Sequence, residues 1–200
     1  MIFVAGNRFL IRREDDPPDA RDAADRIPII LAHGAAFGSG EHETTASCLE
    51  ELERLPGVEG ADVLDLGCGT GVLAIAAAKL GARRVVAVDP SPEAVEVTRA
   101  SARLNGVERR VTTVAGEVGS VRGESFDLIL ANVYADILLA IARELAPLVR
   151  APGTLIMSGV NYDDAFDVKL AYTKAGLRLV RSRALENYGT FIFERSAARN

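Results

Sequence analysis

The stretch Asp65-Leu66-Gly67-Cys68-Gly69-Thr70-Gly71 is the part of this chain best equipped to hold a ligand. Three glycines in five residues let the backbone turn sharply and admit a ligand to the main chain with no Cβ atom in the way. A dinucleotide fingerprint spaces its glycines Gly-x-Gly-x-x-Gly. Here the third comes one residue early, at Gly71, and Val72 fills the expected place. Asp65, just ahead of the first glycine, would repel a pyrophosphate and welcome an ammonium or a sulfonium. A second acid, Asp89, lies 22 residues past Gly67, where a carboxylate commonly takes the hydroxyls of a ribose.

These residues need a frame that brings them to one edge. Residues 63–66 read as a strand and 72–80 as a helix closed by Gly81, so the glycines join a strand to a helix. The next strand, 84–88, delivers Asp89-Pro90. A helix over 92–104 follows, with Ser91 as N-cap and Pro92 at its first position, and Asn105-Gly106 stops it. Strands are predicted at 111–114, 126–132 and 154–159, with helices at 137–149 and 162–175. A last antiparallel pair spans 177–185 and 188–194. The alternation predicts an α/β fold, a doubly wound sheet of about seven strands. Upstream, strands at 8–11 and 27–31 flank a polar, proline-rich tip at 14–19, and a helix over 46–54 precedes the first sheet strand. The expected division is a strand pair with an exposed loop over 1–32 and one ligand-binding domain over 33–200.

Composition removes several function classes. Two hundred residues, 48% apolar and 26% charged, are enough for one domain with a substantial core. A net charge of −5 offers no general attraction to nucleic acid or anionic membranes. Two cysteines, Cys48 and Cys68, make neither a disulfide framework nor a metal signature. His42-Glu43-Thr44-Thr45 begins like a zinc helix, but Ala46 stands where the second histidine belongs, so no metal is expected. No apolar run reaches the length of a membrane helix, and the opening residues do not form a signal core, so the cytoplasm is the default.

Asp-x-Gly-x-Gly-x-Gly resembles the first motif of class I methyltransferases, which bind S-adenosylmethionine. The run Ala36-Phe37-Gly38-Ser39-Gly40-Glu41-His42-Glu43-Thr44-Thr45 resembles the Ala-Phe-Gly-Thr-Gly-x-His-x-Thr-Thr signature of the bacterial ribosomal protein methyltransferases. Those enzymes trimethylate lysines and the N-terminus of the large-subunit stalk-base protein eleven. The resemblance covers roughly residues 27–195 and implies a Rossmann-like sheet whose last strand runs antiparallel. It implies a cofactor site made by Asp65, Gly67, Cys68, Gly69, Gly71 and Asp89, with Thr45 on the methionine end and Phe37 as an apolar cover. Glu117 stands where such enzymes place an acid for the adenine amino group, though an ordinary surface acid is the other reading. Asn132 matches the family's asparagine, which reaches cofactor or substrate amine, and Tyr134 or Asp136 could assist deprotonation. The two prolines of nucleobase methyltransferases are replaced by Val133-Tyr134, which argues against a nucleic-acid substrate.

The expected function is methyl transfer to a protein amine, with a ribosomal protein as the implied partner. Two departures stand out: only residues 1–32 precede the signature, where the family has a substrate-presenting domain, and Tyr188 replaces an expected tryptophan. A small-molecule methyltransferase and a non-catalytic cofactor-binding partner are the alternatives. Oligomeric state is not legible.

Overall fold

The computed structural model describes residues 2–17, 26–34, 38 and 41–197. Its main sheet holds seven strands in the order β6-β5-β4-β7-β8-β10-β9. In chain order these are β4 (Asp62–Leu66), β5 (Arg84–Asp89), β6 (Val111–Ala115), β7 (Phe126–Asn132), β8 (Val149–Asn161), β9 (Arg178–Ala184) and β10 (Tyr188–Arg195). Strands β4 to β8 pair in parallel, whereas β10 pairs antiparallel with both β8 and β9. β4 is buried along its whole length, as a central parallel strand covered on both faces must be.

Side chains alternate across each strand, and this divides the core in two. Val63, Val85, Leu128 and Leu130 point into one cluster, shared with helices α1 (Glu43–Arg54), α2 (Val72–Lys79) and α3 (Pro92–Leu104). Leu64, Val86, Ile129 and Ala131 point into the other, under α4 (Ala135–Leu145) and α5 (Ala165–Lys174). Asp65 shares the parity of Val63, so it faces α2 rather than α4. Helix α2 is buried from Val72 to Ala78, which an all-apolar helix wedged between sheet and α1 requires. No helix among the described residues is long and apolar enough to cross a membrane.

The N-terminal segment forms a second sheet in the order β1-β2-β3, from β1 (Ile2–Ala5), β2 (Phe9–Arg13) and β3 (Ile27–Leu31). Sequence reading finds two strands here. The four residues of β1 are too few to signal by themselves, and antiparallel pairing with β2 stabilises them. Ala5, Phe9, Ile11, Ile29 and Leu31 join the core cluster of α1 and α2. Asn105, at the end of α3, gives and takes one hydrogen bond with the Ile30 backbone (2.6 and 3.0 Å), as a neighbouring strand would. The predicted tip extends past the described residues at Pro18 and Asp19.

Other boundaries move for local reasons. α1 begins at Glu43 instead of 46 because the His42 ring caps it, accepting from Thr44 N–H at 3.4 Å. α4 runs from Ala135 and gives way to a 3-10 turn over Ala146–Leu148, where Pro147 cannot supply the N–H that an α-helix needs. β8 starts at Val149, well before the predicted 154, because a bulge opposite Phe126 and Leu128 lets it carry on through Pro152-Gly153.

Candidate functional site

The strand order reverses at β4, so the loops leaving β4 and β7 part in opposite directions and open a crevice at the carboxyl edge of the sheet. A cavity of about 690 Å³ lies there, bordered by Gly67, Gly69, Asp89, Glu117, Asn132 and Tyr188. This size suits a small ligand or cofactor.

The glycine turn is held from below and crowded from above. Gly67 and Cys68 donate to Val88 O at 2.8 and 3.1 Å, fixing the turn to the end of β5. Gly67 has φ +74°, and a Cβ there would sit 2.3 Å from Val133 Cγ1. At Gly71, with φ +81°, a Cβ would come within 2.7 Å of Thr98, whose hydroxyl donates to Gly69 O at 2.9 Å. Only glycine fits either place. Thr70 Oγ1 donates to Gly38 O at 2.6 Å and so ties the signature loop to this turn. Phe37 lies outside the described residues.

Asp89 ends β5 facing the cavity. Its two oxygens accept from Gly69 N–H at 3.0 Å and Ser91 N–H at 2.9 Å, so one carboxylate aligns the glycine turn with the start of α3. Carboxylate oxygens have further lone pairs, which remain for a ligand's hydroxyls. Glu117 also borders the cavity, ahead of the 3-10 turn Val118–Val121.

Asp65 is placed differently from the other acids. It is 1% exposed, lies beneath the turn, and accepts from Ala74 N–H at 2.9 Å through Oδ2, while its buried Oδ1 has no partner. Burial pushes its pKa up to about 7; the Ala74 bond opposes that shift and the charge of Asp89 adds to it. Cys68 is buried as well: its sulfur lies 3.3 Å from Thr98 Oγ1, and burial raises the thiol pKa far above the range in which a thiolate forms. The residue contributes its backbone to the turn and no nucleophile.

At the other wall, Asn132 Nδ2 donates to Thr45 Oγ1 at 3.0 Å. Thr45 is 1% exposed and does not border the cavity. With Nδ2 committed, Asn132 keeps Oδ1 as an acceptor for a group in the cavity. Tyr134 stands at the rim, 67% exposed. Asp136 does not border the cavity; it is exposed and accepts from the N–H of Ile137 at 2.9 Å.

Sequence reading gave no site role to His42 and none inside the cavity to Gly159. The His42 ring packs edge-on against Tyr188 with centroids 5.4 Å apart, and both border the cavity. Gly159 has φ +83°, and a Cβ would meet Val133 O at 2.5 Å; a glycine closing a strand opposite the glycine turn was the available signal. Glu43 accepts from Glu186 N–H at 2.6 Å and Asn187 N–H at 3.0 Å, latching the β9–β10 turn to α1. Below the latch, Thr190 Oγ1 donates to Ser47 Oγ at 2.8 Å and lies 2.9 Å from Ser158 Oγ, a fully buried hydroxyl chain linking α1, β10 and β8.

A glycine turn at the switch point of this sheet, with an antiparallel strand inserted beside β8, defines a Rossmann-like methyltransferase fold. Comparison with known proteins narrows the class. The chain belongs to the ribosomal protein L11 methyltransferase (PrmA) family, whose sequence model matches residues 3–196. The ribosomal protein L11 methyltransferase of Caldicellulosiruptor saccharolyticus is 37% identical over 183 residues, 92% of this chain and 59% of that protein. The enzyme of the same name from Geobacter sulfurreducens is 42% identical over 173 residues, 86% of this chain and 56% of its own length. The chain thus spans little more than half of these relatives. A crystal structure of the ribosomal protein L11 methylase from Lactobacillus delbrueckii subsp. bulgaricus superposes with a TM-score of 0.86 at 29% identity, covering 98% of both chains.

Proposed function

We propose that this chain transfers a methyl group from S-adenosylmethionine to an amine of a ribosomal protein, a lysine above all, in the cytoplasm where such proteins are made. The observation that carries the reading is the Asn132 amide, fixed by Thr45 at the wall of the glycine-turn cavity. The cavity fits the cofactor: Gly67 and Gly69 border it with no Cβ to block close approach, Asp89 offers free lone pairs, and beneath the turn, outside the cavity lining, Asp65 holds an unpartnered buried oxygen. When bound, the cofactor supplies an electrophilic methyl on a sulfonium.

Each residue then has a task. Asp89 accepts from ribose hydroxyls and Glu117 from the adenine amino group. Gly67, Cys68, Gly69 and Gly71 present backbone to the ligand, and Asp65 places negative charge under the amino-acid ammonium. Thr45 acts on the methionine end through Asn132. Asn132 Oδ1 accepts from the incoming amine and orients its lone pair, an alignment task more than an acid–base one. Tyr134, at the rim, passes the departing proton outward, and the Asp136 charge beside it favours that direction. In this division of labour strands β1 and β3 of the segment 1–32 brace α1 and α3, and the domain over 33–200 is the transferase.

The test incubates purified protein with radiolabelled S-adenosylmethionine and purified ribosomal protein L11, alongside calorimetry with S-adenosylhomocysteine. Label on L11 lysines is the expected result. Cofactor binding without label on any protein amine would overturn the acceptor; no cofactor binding would overturn the whole reading.

A further inference from the structure

Two exposed apolar residues, Tyr134 and Ile137, border the cavity, and three more stand on neighbouring segments that no part of the described chain covers. Tyr134, Tyr162 and Phe166 are 67%, 51% and 68% exposed, and Ile137 and Leu170 are 44% and 39% exposed. They stand on the loops that leave β7 and β8, on the first turn of α4 and on the first two turns of α5. Asn132 pairs with Ser158, so these two loops start side by side. The Tyr162 hydroxyl donates to Leu185 O, which joins the β9–β10 turn to the same rim. Burying apolar groups of this size is favourable for a partner, and their grouping on one edge marks an interaction face.

The charges on this face have one sign. Residues 133–142, 159–168 and 184–192 contain Asp136, Asp163, Asp164, Asp167 and Glu186, with no lysine or arginine among them. The first cation along α5, Lys169, turns inward to lie 5.5 Å from the centroid of the Phe191 ring. On α1 and at the start of β4, by contrast, acids are matched: Glu50 and Glu51 pair with Arg183 and Arg181, and Asp62 pairs with Arg83 and Arg150.

We infer that this rim docks a lysine-rich, extended protein segment and feeds one of its lysines into the cavity. The inference rests on the reading of the site as an amine methyltransferase and adds what selects the acceptor. Aromatic faces take ammonium groups and aliphatic stems together, while the ring of carboxylates draws cations in from a distance and repels nucleic acid. Neighbouring lysines on the segment would meet Asp163 and Asp167, while the target lysine passes Tyr134 to reach Asn132.

The test uses the full chain saturated with S-adenosylhomocysteine and a fluorescent peptide of alternating glycine and lysine, with a glycine–glutamate peptide as control. The lysine peptide should bind and the glutamate peptide should not. Affinity should fall steeply as ionic strength rises from about 0.01 to 0.15 M, where the screening length drops from about 30 to 8 Å. The double variant Asp163→Asn/Asp167→Asn should weaken peptide binding roughly fivefold and leave adenosylhomocysteine affinity unchanged. Phe166→Ala should also weaken the peptide, with the cofactor again unaffected. If the cofactor binds and the lysine peptide does not, or if these variants bind it as the parent does, the docking face is refuted while the transferase reading stands. Failure of the parent chain to bind the cofactor would bring down both.

Discussion

Asp65→Asn separates the stability of this protein from its ligand chemistry. The Asp65 carboxyl is 1% exposed, and burial lifts its pKa from 3.8 to about 7. Below about pH 4 it is protonated in folded and unfolded chains alike and adds no pH dependence. Between about pH 4 and 7 the unfolded chain has released the proton and the folded chain retains it. The folded state then binds more protons, so stability falls as pH rises, by about 1.4 kcal/mol per pH unit. Over the window this accumulates to about 4 kcal/mol, which relaxation around the site trims to about 2–4 kcal/mol. Asparagine carries no charge to desolvate, and its oxygen can keep the bond from Ala74 N–H. The variant should therefore exceed the parent by about 2–4 kcal/mol at pH 8, and the gap should close toward pH 4. Urea unfolding at several pH values measures it, followed by far-ultraviolet circular dichroism because the chain has no tryptophan. The difference between the two proteins cancels the opposite trend from Asp127, where burial is outweighed by bonds from Asp62 N–H and Arg150 that hold its pKa low. Calorimetry should show the stabilised variant binding S-adenosylhomocysteine more weakly. Equal stability at pH 8 would show that Asp65 ionises without penalty and is not a charge held ready for a ligand; a gap that persists at pH 4 would show that the gain does not come from its charge.

Asp89→Ala should weaken S-adenosylhomocysteine binding by about 2–3 kcal/mol, through lost ribose contacts and loss of the anchor for Gly69 N–H; unchanged affinity in calorimetry would place the ribose elsewhere. Asn132→Ala should abolish transfer to the acceptor while cofactor affinity stays within about tenfold, or 1.4 kcal/mol. Full turnover by that variant would remove Asn132 from the amine site. Gly67→Ala should destabilise the fold by about 1–3 kcal/mol, from positive φ together with the clash on Val133. Adding Val133→Ala should recover part of the melting-temperature loss, and no recovery would mean that φ strain alone sets the cost.

The parallel half of the sheet was legible because its signals are local. The run over 126–132 predicted β7 to the residue, and Ser91-Pro92 with Asn105-Gly106 bounded α3, where Ala94 N–H does bond Ser91 Oγ. What sequence could not show depends on partners far along the chain. β1 exists because β2 pairs with it, and α1 gains its first turn from the His42 cap. The site divides in the same way. The glycine turn and Asp89 could be placed by spacing, and both border the cavity. That Asp65 lies under the turn follows from strand parity and the seating of α2. That Thr45 reaches Asn132, and only through it the cavity, requires α1 and β7 to be brought together across 87 residues. The Glu43 latch on the β9–β10 turn spans more than 140 residues and has no signature in either segment.

The position of β10 has a consequence for how the protein is made. β9 is synthesised before β10, yet it reaches the sheet only through β10, which lies between it and β8. While the ribosome is still adding residue 188 and beyond, β9 has no strand to join. β8 meanwhile exposes its far edge, with Leu155, Ile156 and Met157 ready to pair with any extended chain. The sheet is completed only once β10 has been made and has paired with β8, carrying Phe191, Phe193 and Thr190 into places where they are almost wholly enclosed. The nascent chain is most exposed to mispairing in that interval. Shortening the β9–β10 turn, or slowing its translation, should therefore be felt first as aggregation during expression, well before any change in the finished protein.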